Sequence, residues 1–136
     1  MDPDTERRIR AGYEAFQRGD LEATLRDFSG EPSFVAPDYA LESGEREGRD
    51  AVAAAFQSVH DWMELDTIEP EELVEGPEGI LVMARVRGRG RASGIPVDEL
   101  YAHVLRYAGG RVQRFNWFET RAEGLAAIGL ADPPAG

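Results

Sequence analysis

Cysteine is missing from the 136-residue chain, and its absence excludes disulfides, thiolate nucleophiles and cysteine-ligated zinc or iron–sulfur sites. Histidine is scarce. The only two are His60 and His103, and His60 with Asp61 forms no recognisable metal set, because a stable site needs three or four converging ligands; no metal is expected. No apolar run approaches the length that spans a bilayer. The charged stretch from Met1 to Arg10 lacks the apolar core of a secretory signal or anchor, so a soluble, cytoplasmic protein is expected. No glycine-rich loop follows a strand and opens a helix, which leaves a nucleotide cofactor without support, and no cofactor is expected. Positive charge is outnumbered, with 15 basic residues against 26 acidic ones and a net charge of −11. Such a balance repels phosphate backbones and anionic lipid, so neither nucleic acid nor membrane is an expected partner. Many arginines, alanines and glycines and few lysines suggest a bacterial genome rich in guanine and cytosine. The length fits one domain over residues 1–136, with an ordered core from about residue 5 to residue 130.

The residues that are present fall into two periods. Ile9, Tyr13 and Phe16 recur at helical spacing after Asp2-Pro3, and Gly19 suits the stop of that first helix. Asp20 caps a second helix with Leu21, Leu25 and Phe28 on one face. Between residues 29 and 48 only Phe34-Val35-Ala36 reads as a brief strand, followed by a long loop around Pro37, Gly44 and Gly48. Val52, Phe56, Val59 and Met63 define a third amphipathic helix, with Trp62 beside it. From Leu65 the period becomes two, with segments near 66–75, 79–92, 97–108 and 111–120 separated by Gly- and Pro-containing turns, an antiparallel meander. Thr120 and Glu123 have the spacing of a capping box that opens a short last helix through Leu125 and Ile128, and Asp132 to Gly136 is expected to fray.

Both faces of the 97–108 strand are apolar. Tyr101, His103, Leu105 and Tyr107 alternate with Leu100, Ala102 and Val104. Val86, Val112 and Phe118 are assigned to the face opposite a pocket, so that this outer surface calls for a second layer. A homodimer through the sheet face supplies one; cover from the carboxyl tail or a loop is the alternative.

The Arg18-Gly19-Asp20 corner between two helices, the Val35-Ala36-Pro37 strand end, Gly48-Arg49-Asp50-Ala51-Val52 opening the third helix and a meander closing in Gly109-Gly110-Arg111-Val112 are together similar to the SnoaL-like branch of the nuclear transport factor 2-like superfamily. The resemblance runs from about Arg8 to Leu130. It implies an α+β fold: a cone-shaped, curved antiparallel sheet wrapped by three N-terminal helices, with a short C-terminal helix and a deep pocket for a hydrophobic small molecule. Activity does not follow from this fold, which serves isomerases, cyclases, hydrolases and binding modules alike.

The resemblance also shows which catalytic groups are replaced. Ketosteroid isomerases carry their proton-shuttling aspartate where this chain has Ala36, their oxyanion-hole acid where it has His103, and their tyrosine donor near Gly12, one residue before Tyr13. Only a histidine remains of that trio. Limonene-type epoxide hydrolases carry their water-activating set at positions matching Arg85, Arg87 and Trp117, so both carboxylates are lost. SnoaL-like cyclases pair a pocket histidine with an aspartate on the last strand, where Trp117 stands; Glu119 lies two residues further along. Alternation then places Tyr101, His103, Leu105, Phe115, Trp117 and Glu119 inside the pocket, with Tyr13, Phe16, Phe56 and Trp62 from the helices. His103 is the candidate proton donor or acceptor, or else a buried histidine bonded to Tyr101 or Glu119; the aromatics are ligand walls or core filler. An inward Arg85 needs Glu99, Glu119 or an anionic ligand as partner, while Arg87, Arg89 and Arg91 continue its face toward solvent or guide an acidic ligand. Asp38, Tyr39 and Glu42 lie on the entrance loop, and Asp38 is a candidate replacement base. Two functions follow: a small-molecule binding protein with acid–base chemistry of the isomerase or cyclase type on a hydrophobic carbonyl compound, or a non-catalytic ligand-binding, dimeric accessory or protein-interaction domain.

Overall fold

Helix α1 (Pro3–Gln17) begins where Asp2 accepts a hydrogen bond from the Asp4 amide and Pro3 fills the first turn. It buries Ile9, Tyr13, Ala15 and Phe16 and ends at Gly19, whose φ of +80° reverses the chain without a Cβ clash. Asp20 accepts from the Ala23 amide and caps the single turn α2 (Leu21–Thr24). In this computed structural model, which describes residues 1–36 and 44–130, Phe28 is not on α2 as its spacing suggests. It opens strand β1 (Phe28–Ala36), because residue 28 pairs with Val112 in the sheet. A short strand β2 (Gly44–Glu47) lies within the stretch expected to be loop. Helix α3 (Arg49–Trp62) follows, and Met63, expected on that helix, begins β3 (Met63–Gly76) instead.

Three long strands complete the sheet: β4 (Gly79–Gly90), β5 (Pro96–Ala108) and β6 (Arg111–Phe118). The order is β2-β1-β6-β5-β4-β3. The last four strands form the expected meander, and β1 joins β6 in parallel with β2 antiparallel outside it. Helix α4 (Arg121–Ala127) starts in a complete capping box between Thr120 and Glu123. Among the described residues no helix is long and apolar enough to cross a membrane. The tail beyond Leu130 and the segment with Pro37, Asp38, Tyr39 and Glu42 lie outside the described residues.

Register decides which side chains share a face, and it corrects two assignments. Tyr101 pairs with Ala84, His103 with Val82 and Leu105 with Ile80, so the even-numbered residues of β4, Val86 included, face inward with the histidine. Val112 is turned inward too. Arg106 pairs with Arg114 but Tyr107 with Val112, an extra residue on β6 that shifts alternation by one. Both valines belong to the large core formed with Ile9, Phe16, Phe56 and Phe115. Phe118, opposite Ala102, does face outward.

The outer face is not bare. Helix α4 lays Leu125 and Ile128 over Leu81, Met83, Ala102 and Val104 in a second buried cluster. Close approach there depends on glycine: a Cβ at Gly76 would overlap the Ile128 carbonyl oxygen. The rest of this face carries the Arg85, Glu71 and Asp98 ion pairs and Leu100, which is 39% exposed. Much of the apolar surface that called for a second copy is thus covered by the chain's own last helix.

Candidate functional site

Helices α1 and α3 stand off the concave face of the sheet and leave a cavity of about 1310 Å³. Its middle is walled by Ile9, Phe16, Phe56, Ile80, Leu105 and Phe115, and these rings hold one another in place. Phe56 meets Phe34 and Phe115 edge-on at centroid distances of 5.5 and 5.3 Å, while Phe34 and Phe115 stack at 5.6 Å. Towards one end Tyr101 and Trp117 pack in a T at 5.1 Å. Trp62 also lines the cavity and is 51% exposed.

His103 is the one polar or charged residue among the buried side chains of the described core, at 8% exposure. Helix α1 supplies its partner. The Tyr13 hydroxyl lies 2.7 Å from His103 Nδ1, and the two rings are nearly parallel. Burial pushes the His103 pKa down to about 3, so the imidazole is neutral across the physiological range. The Tyr13 hydroxyl is pushed far up, first by burial and then by Tyr107, so it keeps its proton. The Tyr13 O–H has no other acceptor among the described residues, so it is assigned as the donor to Nδ1, which places the ring proton on Nε2. This tautomer is assigned from the hydrogen-bond network. It makes His103 Nε2–H a fixed donor in the aromatic part of the cavity, oriented by Tyr13 and flanked by Tyr101 and Phe115.

A cavity between helices and a curved sheet, with a strand histidine at its centre, agrees with the sequence comparison. The model of the SnoaL-like domain matches residues 9–115. The chain belongs to the SnoaL-like family. Solved structures share its fold. An NTF2-like protein of unknown function from Burkholderia pseudomallei is 28% identical, covers 93% of this chain and 98% of its own, and superposes with a TM-score of 0.75. A ketosteroid isomerase-like fold from Catenulispora acidiphila, in complex with trimethylamine, is 16% identical over 90% of this chain and 92% of its own, TM-score 0.71. TerC, co-crystallised with polyporic acid, is 18% identical over 90% and 96%, TM-score 0.72. Among curated proteins none matches the chain.

Within this SnoaL-like cavity the structure brings together Tyr13, Phe16, Phe56, Trp62, Tyr101, His103, Leu105, Phe115 and Trp117. Two other candidates, Arg85 and Glu119, lie elsewhere. Arg85 is on the outer face, opposite Leu100, bonded to Glu71 at 3.0 Å and Asp98 at 3.2 Å rather than to Glu99 or Glu119. An inward guanidinium would have had to lose its hydration among apolar walls, whereas Val86 does not. Glu119 follows the end of β6, is exposed and does not line the cavity. Asp38 lies outside the described residues. His60 donates from Nε2 to the Phe16 carbonyl at 2.7 Å, which ties α3 to α1. Position 36, which carries the shuttle base in ketosteroid isomerases, is a buried alanine on the cavity wall. The Tyr13–His103 contact is what the sequence comparison missed. A one-residue offset set Tyr13 aside as a hydrogen-bond donor, although Tyr13 shares a helical face with Ile9 and Phe16 and therefore points at the sheet.

Proposed function

We propose that this SnoaL-like protein binds a neutral, hydrophobic carbonyl compound in its cavity and polarises the carbonyl oxygen with His103 Nε2–H, Tyr13 fixing the imidazole. The observation that carries this reading is the buried Tyr13–His103 pair, an oriented donor set among aromatic and aliphatic walls. A neutral donor in a desolvated site favours a neutral acceptor, because an ionised ligand loses its hydration without meeting a charge there. Polarisation of this kind assists isomerase- or cyclase-type acid–base chemistry when a base is at hand. The non-catalytic carrier is the second reading, and it is favoured by Ala36 standing where that base is found in isomerases. Self-association through the uncovered part of the outer sheet face is a further proposal, supported by exposed Leu100, and sedimentation velocity tests it.

The binding reading is tested by thermal shift with 4-acetylbiphenyl against biphenyl. The ketone is expected to raise the wild-type Tm more than the hydrocarbon does. His103→Asn, which retains an acceptor for Tyr13 and removes Nε2, is expected to erase that difference. No shift from any of a panel of flat ketones and quinones refutes the reading.

A further inference from the structure

The cavity does not end at the histidine. It continues past Leu105 and Ile9 to a second end, between the first turns of α1 and the tips of the β3–β4 and β5–β6 hairpins, where Thr5, Glu78, Tyr107 and Gly110 line it. Tyr107 sits four residues beyond His103 on the same strand. The β6 bulge keeps its partner Val112 facing inward, so Tyr107 is on the cavity side although it lies at the rim. Four residues of strand put the two Cα atoms roughly 13 Å apart, with Leu105 between them on the same face and the Tyr13 hydroxyl close enough to Tyr107 to be raised by it.

The chemistry of this second end differs from that of the middle. Tyr107 is 36% exposed, and its hydroxyl makes no hydrogen bond among the described residues; it stays protonated at neutral pH, its pKa pushed up by the partial burial of the ring and then by Asp27. Asp27 is held beside it, since its carbonyl accepts the Val112 amide at 2.8 Å. Charges of both signs line this end: Arg8, Arg26 and Arg106, the last bonded to the Ala127 carbonyl, with Asp27, Glu75 and Glu78. Arg8 is in addition paired with Asp4. Such a surround offers hydrogen bonds without a net charge to attract an ion.

We infer that the cavity takes an elongated, flat molecule with a neutral oxygen at each end, one bound by His103 and the other, a hydroxyl or second carbonyl, by Tyr107. The inference rests on the small-molecule reading above and specifies the ligand's length and second polar group. A rim hydroxyl that exchanges water for such a ligand oxygen contributes a net preference of roughly 5- to 10-fold.

The test compares two rigid probes, 4-acetyl-4′-hydroxybiphenyl and 4-acetylbiphenyl, by quenching of intrinsic tryptophan fluorescence in the full chain. Wild type is expected to bind the hydroxy ketone about 5- to 10-fold more tightly, and Tyr107→Phe is expected to bring the ratio to about one. A fluorescence-independent thermal shift on both proteins shows that the variant is folded. Equal affinity for the two probes in wild type overturns the two-ended site while leaving the binding reading intact, and so does a preference that survives Tyr107→Phe. Binding of neither probe overturns both.

Discussion

Replacing His103 by asparagine should remove a specific part of the protein's acid sensitivity. In the native state burial holds the imidazole pKa near 3, against an ordinary value of 6.5. Below pH 6.5 the unfolded chain therefore takes up a proton that the folded chain declines. Unfolding is favoured by that uptake, so stability is fully present above pH 6.5 and is lost as pH falls toward 3. Each pH unit well inside that window removes about 1.36 kcal/mol. Between pH 7 and pH 5 the loss from this one group is about 2 kcal/mol, since titration of the unfolded histidine is only beginning at the upper limit. Urea unfolding at the two pH values measures it, and an m-value of about 2 kcal/mol/M makes it a midpoint shift near 1 M. His103→Asn is less stable than wild type at both pH values because it leaves unfilled volume. That penalty cancels when each protein is compared with itself. The expected result is that wild type loses about 2 kcal/mol more than the variant between pH 7 and 5. Equal losses refute the buried neutral histidine.

Two further outcomes follow from named contacts. Tyr13→Phe strips the donor from His103 Nδ1 and leaves a buried acceptor unpaired, which should lower stability by about 1–3 kcal/mol; imidazole 15N shifts should show the wild type as the Nε2–H tautomer and the variant as a mixture, and a variant indistinguishable from wild type contradicts the assignment. Gly76→Ala drives a methyl group into the Ile128 carbonyl and should destabilise by about 1–3 kcal/mol as α4 lifts from the hairpin, read as a lower Tm with exposure of the Leu81–Val104 surface to a hydrophobic dye.

Helices were legible in the sequence because their signals are local. Asp2-Pro3, Asp20 and the Thr120–Glu123 box each mark an end within one turn, and α1, α2 and α4 start at those marks. Strand β2 had no such signal. Gly44-Glu45-Arg46-Glu47 has no apolar alternation, and it is a strand because Phe34 and Val35 present it with a pairing edge. The same holds for the first half of β1, whose partner β6 is distant in sequence. Alternation did place Tyr101, His103 and Leu105 with Phe115 and Trp117 on one face, where the structure has them. It left β4 undecided, since residues 80–84 are apolar on both faces, and the analogy with epoxide hydrolases then drew Arg85 inward. Only the pairing of Val82 with His103 settles that parity. Val112 was unreadable for a different reason: a bulge inverts every facing beyond it, and nothing in Val112-Gln113-Arg114 announces one.

The same desolvation that keeps His103 neutral bears on what a SnoaL-like cavity of this composition does. A hydrogen bond from Nε2–H to a carbonyl oxygen is strengthened in a low-dielectric chamber, so polarisation is favoured by burial. Proton abstraction is not. An imidazole whose conjugate acid has a pKa near 3 is a far weaker base than free histidine, and Tyr13 with its raised pKa is an unwilling source of phenolate. Around His103 the described walls therefore suit a polarised carbonyl but carry no base, because the carboxylates that line the cavity, Asp27, Glu75 and Glu78, lie at the Tyr107 end. Turnover requires that base to come from elsewhere, and a ligand bound at both His103 and Tyr107 has its middle among Ile9, Leu105 and Phe115, where no side chain can accept a proton. On the proposed reading the polarised carbonyl lies at the histidine end, next to Ala36, Tyr101 and Trp117, and a base has to reach it there.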